Sequence, residues 1–401
     1  MFTLKEIKKT VLISLWFVFL TFPLMVIKVD PIEKTVLWRW HNALYVAIGI
    51  FCIRCLIEFF RHRKQQKEKK KKNSSDDSQA LIHRILVDPR KRNIMLGVLL
   101  SLVVIFPFVF DTYQTNIMIT ALMYVVLGLG LNIVVGMAGL LDLGFVAFYA
   151  VGAYSYALLN HHFGLGFWAV LPIGGGLAAF AGILLGFPVL RLRGDYLAIV
   201  TLGFGEIIRL ILENWNEFSM GPSGISNIDR PYFFGINLSL EHSILYLYYI
   251  MILFLIVTIF IVNRLQNSRL GRAWIALRED EIACQAMGID KRKTKLVAFA
   301  LGAFWAGVVG VIFAAKTTFI NPASFTFLES AIILSIVVLG GMGSIVGVIF
   351  GALILILLPE YLRALSEYRM LAFGAILVAM MVFRPQGLIS KIRRTYTFKQ
   401  E

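Results

Sequence analysis

The sequence predicts an all-α fold, a polytopic transmembrane helical bundle of about ten to twelve spans. Of its 401 residues, 58% are hydrophobic and only 16% are charged, whereas about a quarter of the residues in a soluble domain are charged. A helix needs ~20 apolar residues to cross a ~30 Å hydrocarbon core, and the apolar runs here have about that length. The composition excludes an ordinary soluble enzyme and a disordered chain, which would be poor in aromatic residues.

The apolar runs divide the chain into four parts. Residues 1–60 form an N-terminal pair of spans near 11–27 and 42–60, the first of which we expect to be uncleaved because no small-residue cleavage site follows it. Residues 61–92 form a basic linker, 93–390 the main membrane core, and 391–401 a tail. The core spans are predicted near 93–110, 117–136, 144–160, 167–190, 196–213, 243–262, 296–316, 328–358 and 370–384.

The distribution of basic residues predicts the orientation. The linker contains twelve Lys and Arg and the segment 263–295 contains eight, whereas the loop 214–242 contains only Arg230. Because cytoplasmic loops are rich in Lys and Arg, we expect the linker, 263–295 and both termini to be cytoplasmic and 214–242 to be outside. The net charge of +15 is therefore attributed to membrane orientation rather than to nucleic-acid binding.

The number of membrane crossings predicts a break in the apolar run 328–358. With both termini on one side the number of crossings must be even, and counting this run as one span gives eleven. Two short or broken helices meeting at Gly340, Gly341 and Gly343 restore an even count. Gly343, Gly347 and Gly351 are four apart and are predicted to share a helix face, as are Gly182 and Gly186. These glycines fit either tight packing alone or a moving gate near 340–344.

Polar residues inside apolar runs are costly and need partners or a function. Glu206 and Arg209 are three apart and are predicted to pair, as are Arg54 and Glu58. The Asn132 amide also needs a partner. For each we consider structural pairing and contact with a translocation pathway. No catalytic residue or metal site is predicted, because the chain lacks the motifs G-x-x-x-x-G-K-S/T, H-E-x-x-H and G-x-S-x-G.

The segment 263–295 predicts a short helix that could sit in a groove of a cytosolic partner. Acidic residues Asp280 and Glu281 mark its start, Ala283 lies on its apolar side and Gly288 ends it. A helix with an apolar face and a charged rim suits such docking. The alternative is a loop that lies on its own transmembrane bundle.

Several segments resemble a known family. The pattern Glu281-x-Ala283-x-x-x-x-Gly288 resembles the "EAA" coupling motif of ABC importer permeases, with Ile282 in the middle position and a gap one residue longer. The chain also resembles branched-chain amino acid permeases, in the family's order, over about 93–390. The matching segments are 139–148 (GLLDLGFVAF), 190–202 (LRLRGDYLAIVTL), 339–344 (LGGMGS) and 383–388 (FRPQGL). In addition, 219–224 (SMGPSG) corresponds to the family's external glycine-rich segment.

The extra N-terminal spans and basic linker are similar to LivM-type members of the high-affinity leucine, isoleucine and valine systems. The resemblance implies a type II-like permease fold in a bacterial inner membrane. It implies three kinds of partner besides membrane lipid: a LivH-type permease, two cytosolic ATPases that use ATP-Mg, and a periplasmic binding protein. No cofactor is implied for this chain.

The resemblance also implies roles for residues. It assigns the coupling to the ATPases to Arg278, Glu281, Ala283 and Gly288. From the residues themselves, the candidates for the gate or the translocation pathway are the polar residues within apolar runs, Asn132 and Glu206, and the glycines of the predicted break, Gly340, Gly341 and Gly343. Two other functions stay open from the residues alone, which are an ion-gradient-driven secondary amino acid transporter and a non-transporting membrane scaffold.

Overall fold

The fold is seen in a computed structural model that describes two compact units, Met1–Ser101 and Leu102–Glu401. The described residues are 27–30, 35–38, 103–189, 192, 194–232, 239–361, 374–375, 378, 382 and 387–389. In the first unit, strands β1 (Ile27–Asp30) and β2 (Thr35–Trp38) form an antiparallel hairpin, which the all-α prediction did not include. The predicted span 42–60 with Arg54 and Glu58, the linker and the tail lie outside the described residues.

The second unit is helical throughout its described elements. Residues 103–109 are helical, and the helix that follows continues directly into a π-helical turn, Asn132–Met137. The α-helices are α1 (Thr112–Leu131), α2 (Val146–Phe163), α3 (Phe167–Val189), α4 (Asp195–Asn214), α5 (Asn216–Ser219), α6 (Leu240–Gln266), α7 (Arg269–Glu279), α8 (Glu281–Ala286), α9 (Lys291–Thr317), α10 (Phe327–Gly340) and α11 (Ile345–Tyr361).

Five of the described segments are long and apolar enough to cross a membrane. They are Thr112–Met137, Phe167–Val189, Leu240–Gln266, Lys291–Thr317 and Pro322–Gly340, and the shorter apolar segment Ile345–Glu360 follows. This confirms the prediction of a polytopic helical membrane protein. The predicted total of ten or twelve spans includes segments outside the described residues and stays a prediction.

Two helices form the centre of the second unit. Helix α1 is predominantly apolar and is buried along most of its length, as expected for a helix surrounded by others. Helix α9 packs against α3 and α2, while α6 and α11 pack against α1. Glycines permit these close contacts. A Cβ atom on Gly182 would lie 2.7 Å from the Cβ of Ala303 on α9, so the predicted packing role of this glycine is confirmed.

The predicted break in 328–358 is also present. Helix α10 ends at Gly340, and α11 begins at Ile345. Between them Gly341 and Gly343 have positive φ angles of 109° and 85°, which favour glycine. Gly343 therefore lies in the connecting turn, and the prediction that it shares a helix face with Gly347 and Gly351 was wrong. The four-residue spacing did not reveal where the helix begins.

Candidate coupling site

The segment between α6 and α9 folds into two short helices because each helix has its own N-cap. The Ser268 hydroxyl accepts a hydrogen bond from the Gly271 N–H at 3.2 Å and starts α7. The Asp280 carboxylate accepts from the N–H groups of Ile282 and Ala283 at 2.8 and 3.0 Å and starts α8. Such side-chain caps satisfy N–H groups that have no partner within the helix. The short helix predicted here is therefore present.

Gly288 ends α8 as predicted. Its φ angle is +83°, its N–H donates to the Gln285 carbonyl, and the Ile289 N–H donates to the Cys284 carbonyl. These two bonds form a Schellman motif, in which the residue with positive φ is usually glycine. The end of α8 thus depends on a backbone conformation that a side chain at this position would strain.

Helix α8 has one buried and one exposed side. Cys284 is buried, whereas Ala283 is exposed, Ile282 is 71% exposed and Met287 is 83% exposed. Helix α7 beneath it is anchored by buried Trp274, whose ring N–H donates to the Thr294 carbonyl at 2.8 Å. The pair of helices therefore presents apolar side chains on a firmly packed base. Exposed apolar groups grouped in this way are typical of an interaction surface.

Glu281 forms an ion pair with Lys295 on α9. The side chain of Lys295 is 4% exposed and that of Glu281 is 20% exposed, so the pair joins the start of α8 to the transmembrane helix. The sequence analysis placed both Asp280 and Glu281 at the acidic start of the helix. The structure gives the cap to Asp280 and the charge to Glu281.

Replacing Glu281 with Ala is expected to destabilise the protein by about 3 kcal/mol, because it leaves the Lys295 ammonium buried without its carboxylate. The purified complex should unfold at a lower temperature in a thermal melt. Lys293→Ala is the matched control, since the Lys293 side chain is 85% exposed and its ion pair with Asp290 is long. Equal melting temperatures for the Glu281 variant and the wild type would contradict this role.

Arg278 connects the segment to the interior of the bundle. Its Nη1 donates to the Gly136 carbonyl in the π-helical turn at 2.7 Å. Its aliphatic carbons lie against Gly139, where an added Cβ would be 2.6 Å from the Arg278 Cγ. A π-helical turn disturbs the regular hydrogen bonding of a helix, and Arg278 binds a carbonyl within it. Movement of α7 would therefore be transmitted to the end of α1.

The π-helical turn in turn holds the break between α10 and α11. The side-chain oxygen of Asn132 accepts a hydrogen bond from the Gly343 N–H at 2.8 Å, and Gln266 at the end of α6 donates to the Gly343 carbonyl at 2.9 Å. A Cβ on Gly136 would lie only 2.6 Å from the Gly343 nitrogen. Arg278, Gly136, Asn132 and Gly343 thus form a continuous series of contacts, which we call the coupling relay.

The other glycines of the break bring α10 and α11 together. A Cβ on Gly340 would lie 2.5 Å from the Gly347 carbonyl oxygen. The Leu388 and Ile389 N–H groups donate to the carbonyls of Leu339 and Gly340 at 2.8 and 3.2 Å. A later segment of the chain thus also contacts this break next to Gly341.

Glu206 is placed differently from these residues. It forms the predicted ion pair with Arg209, with Nε and Oε2 2.8 Å apart, and Arg209 also pairs with Glu213 at 2.7 Å. All three lie on α4. The pairing prediction for Glu206 is confirmed, and its role in the pathway stays a proposal.

Asp142, which the sequence analysis did not select as a site residue, lies in the buried loop after the π-helical turn. One carboxylate oxygen accepts from the Gly144 N–H at 2.9 Å. The other has no hydrogen-bond partner within the described part of the chain. Burial raises the pKa of the Asp142 carboxyl to about 7, against the smaller lowering effect of the Gly144 hydrogen bond.

The glycine-rich segment 219–224 lies at the far end of α4, in a loop held to neighbouring elements. Gly221–Ser223 forms a 3-10 turn, and Ile225 and Ile320 exchange backbone hydrogen bonds of 2.9 and 3.0 Å. Asp229 is held by the Asn160 side chain, which accepts from its N–H at 3.1 Å and donates to its carboxylate at 3.0 Å. The described part of the loop is therefore a structured surface.

Residues 113–383 match a family model described as the permease component of branched-chain amino acid transport systems. The chain belongs to this family. It is 50% identical over 323 residues to the high-affinity branched-chain amino acid transport system permease protein LivM of Escherichia coli K12, and the match covers 76% of each chain. LivM of Salmonella typhimurium LT2 is 48% identical, with the same shares covered.

A shorter match relates this permease to a second kind of subunit. It is 33% identical over 141 residues to the LivH permease of Escherichia coli K12, which covers 34% of this chain and 44% of LivH. No solved structure matches the chain. The predicted family membership is confirmed, as is the prediction of a branched-chain amino acid permease.

Two residues that act in the site of this permease, Lys295 and Gln266, were not named in the sequence analysis, and Asp280 was named there only as an acidic residue at the start of the helix. Asp280 caps α8, Lys295 holds Glu281, and Gln266 binds the α10–α11 break. The spacing of Asp280 before α8 is a typical N-cap signal and could have been used. Lys295 and Gln266 gave no local signal, because their partners are distant in sequence.

Proposed function

We propose that this chain is the LivM-type permease subunit of an ATP-driven importer of leucine, isoleucine and valine. A periplasmic binding protein delivers the amino acid, a LivH-type permease shares the pathway, and two cytosolic ATPases supply the energy from ATP-Mg. The observation that carries the proposal is the capped helix α8, which exposes Ile282 and Met287 and is joined through Arg278 to the interior of a family permease.

The ATPases are proposed to bind at α7 and α8. Ile282 and Met287 offer the apolar surface that a groove on a partner would bury. The side chain of Ala283 is small and allows the partner to approach the helix closely. Displacement of α7 would shift Arg278 and with it the π-helical turn of α1. Through Asn132 the displacement would reach the α10–α11 break, where Gly340, Gly341 and Gly343 permit a change in backbone conformation.

The binding protein is proposed to dock at the opposite end. The structured loop there presents Trp215 and Phe218, which are 54% and 47% exposed, beside the Ile225–Ile320 backbone pairing. Aromatic side chains of this kind are enriched at protein interfaces. This assignment implies an inner-membrane protein with α7, α8 and both termini in the cytoplasm.

Replacing Gly288 with Val is expected to reduce leucine uptake more than about tenfold, because a β-branched residue is strongly disfavoured at positive φ and would disrupt the end of α8. Insertion into the membrane should be unchanged, since no atom lies within 4 Å of an added Cβ. Uptake and membrane content are measured in cells that carry the whole system.

Gly176→Val is the matched control. Its Cβ would also meet no atom within 4 Å, and its φ angle is not in the positive region. Purification of both variants in mild detergent should recover the ATPases with the Gly176 variant and less of them with the Gly288 variant. Normal uptake by Gly288→Val would exclude α8 as the coupling helix.

A further inference from the structure

An accessible polar strip interrupts the buried stretch formed by α1 and the π-helical turn, and we call it the polar groove. From Ile119 to Met137 every residue is buried except Thr120 and Tyr124. These two residues are four apart and lie on one face of the helix, separated by ~6 Å along its axis. Both accessible positions of this stretch are thus hydroxyl-bearing. Within a membrane protein, such a polar stripe is typical of a surface that meets water or a polar solute.

Two opposite charges meet this groove. The ammonium of Lys316, in the last turn of α9, donates a hydrogen bond to the Thr120 hydroxyl. The carboxylate of Glu329, in the first turn of α10, accepts one from the Tyr124 hydroxyl. Both side chains are half-buried. The described residues provide neither of them with an ion-pair partner, and the two do not pair with each other.

The environment behind the two charges is apolar. Tyr149, Phe313 and Phe325 form an aromatic cluster with ring centroids 5.3 to 5.9 Å apart, and Phe313 and Phe325 are three and four residues before Lys316 and Glu329. Little screening by water is expected on this side, so charges in the groove attract an oppositely charged ligand strongly. Half-buried charges that are held by neutral hydroxyls alone, without an opposite charge, are costly, which favours a charged ligand or a function for them.

The groove ends where the helices close. The next position in the register of Thr120 and Tyr124 is Gly128, whose Cβ would lie 2.9 Å from the Val348 side chain and 3.1 Å from the Ile336 side chain. Helices α10 and α11 therefore cover α1 from this point. The coupling relay lies one to two turns further along α1. The polar groove and the coupling relay thus lie on opposite sides of the contact that α10 and α11 make with α1 at Gly128.

We propose that Lys316 and Glu329 bind the charged head group of the amino acid during its passage. The Lys316 ammonium binds the substrate carboxylate and the Glu329 carboxylate binds the substrate ammonium, with the hydroxyls of Thr120 and Tyr124 orienting the two side chains. A zwitterion carries its two charges on one α-carbon, which suits opposite charges that are bonded to side chains one helical turn apart on α1. This inference rests on the proposed function, because it takes the transported solute to be an amino acid.

The test uses the complete transporter in liposomes with a saturating amount of leucine-loaded binding protein. Lys316→Gln and Glu329→Gln are each expected to reduce leucine uptake at least about tenfold, which corresponds to ~1.4 kcal/mol. ATP hydrolysis stimulated by the binding protein should stay close to that of the wild type, because neither residue touches the coupling relay. Lys316→Arg, which keeps the charge, should retain most of the uptake.

Controls remove the same kinds of charge elsewhere. Lys293→Gln, at the other end of α9, and Glu241→Gln, in the first turn of α6, change exposed side chains and should leave uptake unchanged. Wild-type uptake by Lys316→Gln and Glu329→Gln would overturn the site. Loss of the LivH-type permease from either purified variant would also overturn the site. It would indicate that Lys316 and Glu329 pair with charges of that permease rather than with the substrate.

A second measurement applies if the neutral variants do not insert. In a background with Cys52 and Cys55 replaced by Ser and with the buried Cys284 of α8 retained, Thr120→Cys is treated with a membrane-impermeant thiol reagent, and the same background without the Thr120 substitution is the blank. Labelling should be slower with leucine-loaded than with leucine-free binding protein, and equal rates would overturn the site. Failure of the proposed function is distinguishable, because the wild-type complex would then show no ATP-dependent leucine uptake.

Discussion

Replacing Arg278 with Ala is expected to reduce leucine uptake more than about tenfold while ATP hydrolysis by the assembled transporter continues. The variant loses a hydrogen bond from a charged donor, worth ~1.5–3 kcal/mol, and leaves the Gly136 carbonyl without it. The connection between α7 and the π-helical turn is then broken. Movement of α7 and α8 caused by the ATPases therefore no longer reaches the α10–α11 break. Uptake and phosphate release are measured on the same reconstituted sample.

Arg272→Ala is the matched control for this experiment. Arg272 lies on the same helix, and its guanidinium donates to the Asn267 carbonyl in an exposed position. Its loss should leave uptake within about twofold of the wild type, because exposed contacts contribute little. An Arg278 variant that transports leucine at the wild-type rate would show that the relay does not carry the coupling.

Replacing Gly347 with Ala is expected to destabilise the contact between α10 and α11 by about 3 kcal/mol or more. The added Cβ would lie 2.1 Å from the Gly340 carbonyl oxygen and 2.8 Å from its carbonyl carbon. Both atoms belong to the backbone, so no side-chain rotation relieves the overlap. The amount of permease complex recovered from membranes and its melting temperature should both fall.

Gly203→Ala is the control, because a Cβ at this position of α4 meets no atom within 4 Å. The pair of variants also separates the two roles considered for the glycines of the break. Loss of the complex indicates that the glycines are needed for tight packing. An intact, thermally stable Gly347 variant without uptake would contradict the packing prediction and favour a moving gate.

Local features of this fold could be predicted because their causes are local in sequence. Apolar runs gave the positions of α1, α3, α6 and α9, since crossing a membrane requires a continuous apolar stretch. The position of Gly288 predicted the end of α8, and the spacing of Glu206 and Arg209 predicted their ion pair. Each of these depends on residues a few positions apart.

The contacts that define the site are long-range and could not be predicted in this way. Arg278 and Gly136 are 142 residues apart, and Asn132 and Gly343 are 211 apart. Only packing of the helices brings them together. The four-residue glycine spacing misplaced Gly343 for a related reason, because a repeat of small residues does not show where one helix stops and the next begins. Likewise, Lys316 and Glu329 meet α1 from two other helices.

The central claim is that ATP hydrolysis in partner subunits drives import through this permease. The direct measurement is leucine uptake into liposomes that contain this chain alone or together with a LivH-type permease and two ATPases, with binding protein added outside. The account predicts uptake only by the full assembly, dependent on ATP inside the liposomes and unaffected by an ionophore. Uptake by the chain alone that an ionophore abolishes and ATP does not affect would contradict it and indicate an ion-gradient-driven carrier.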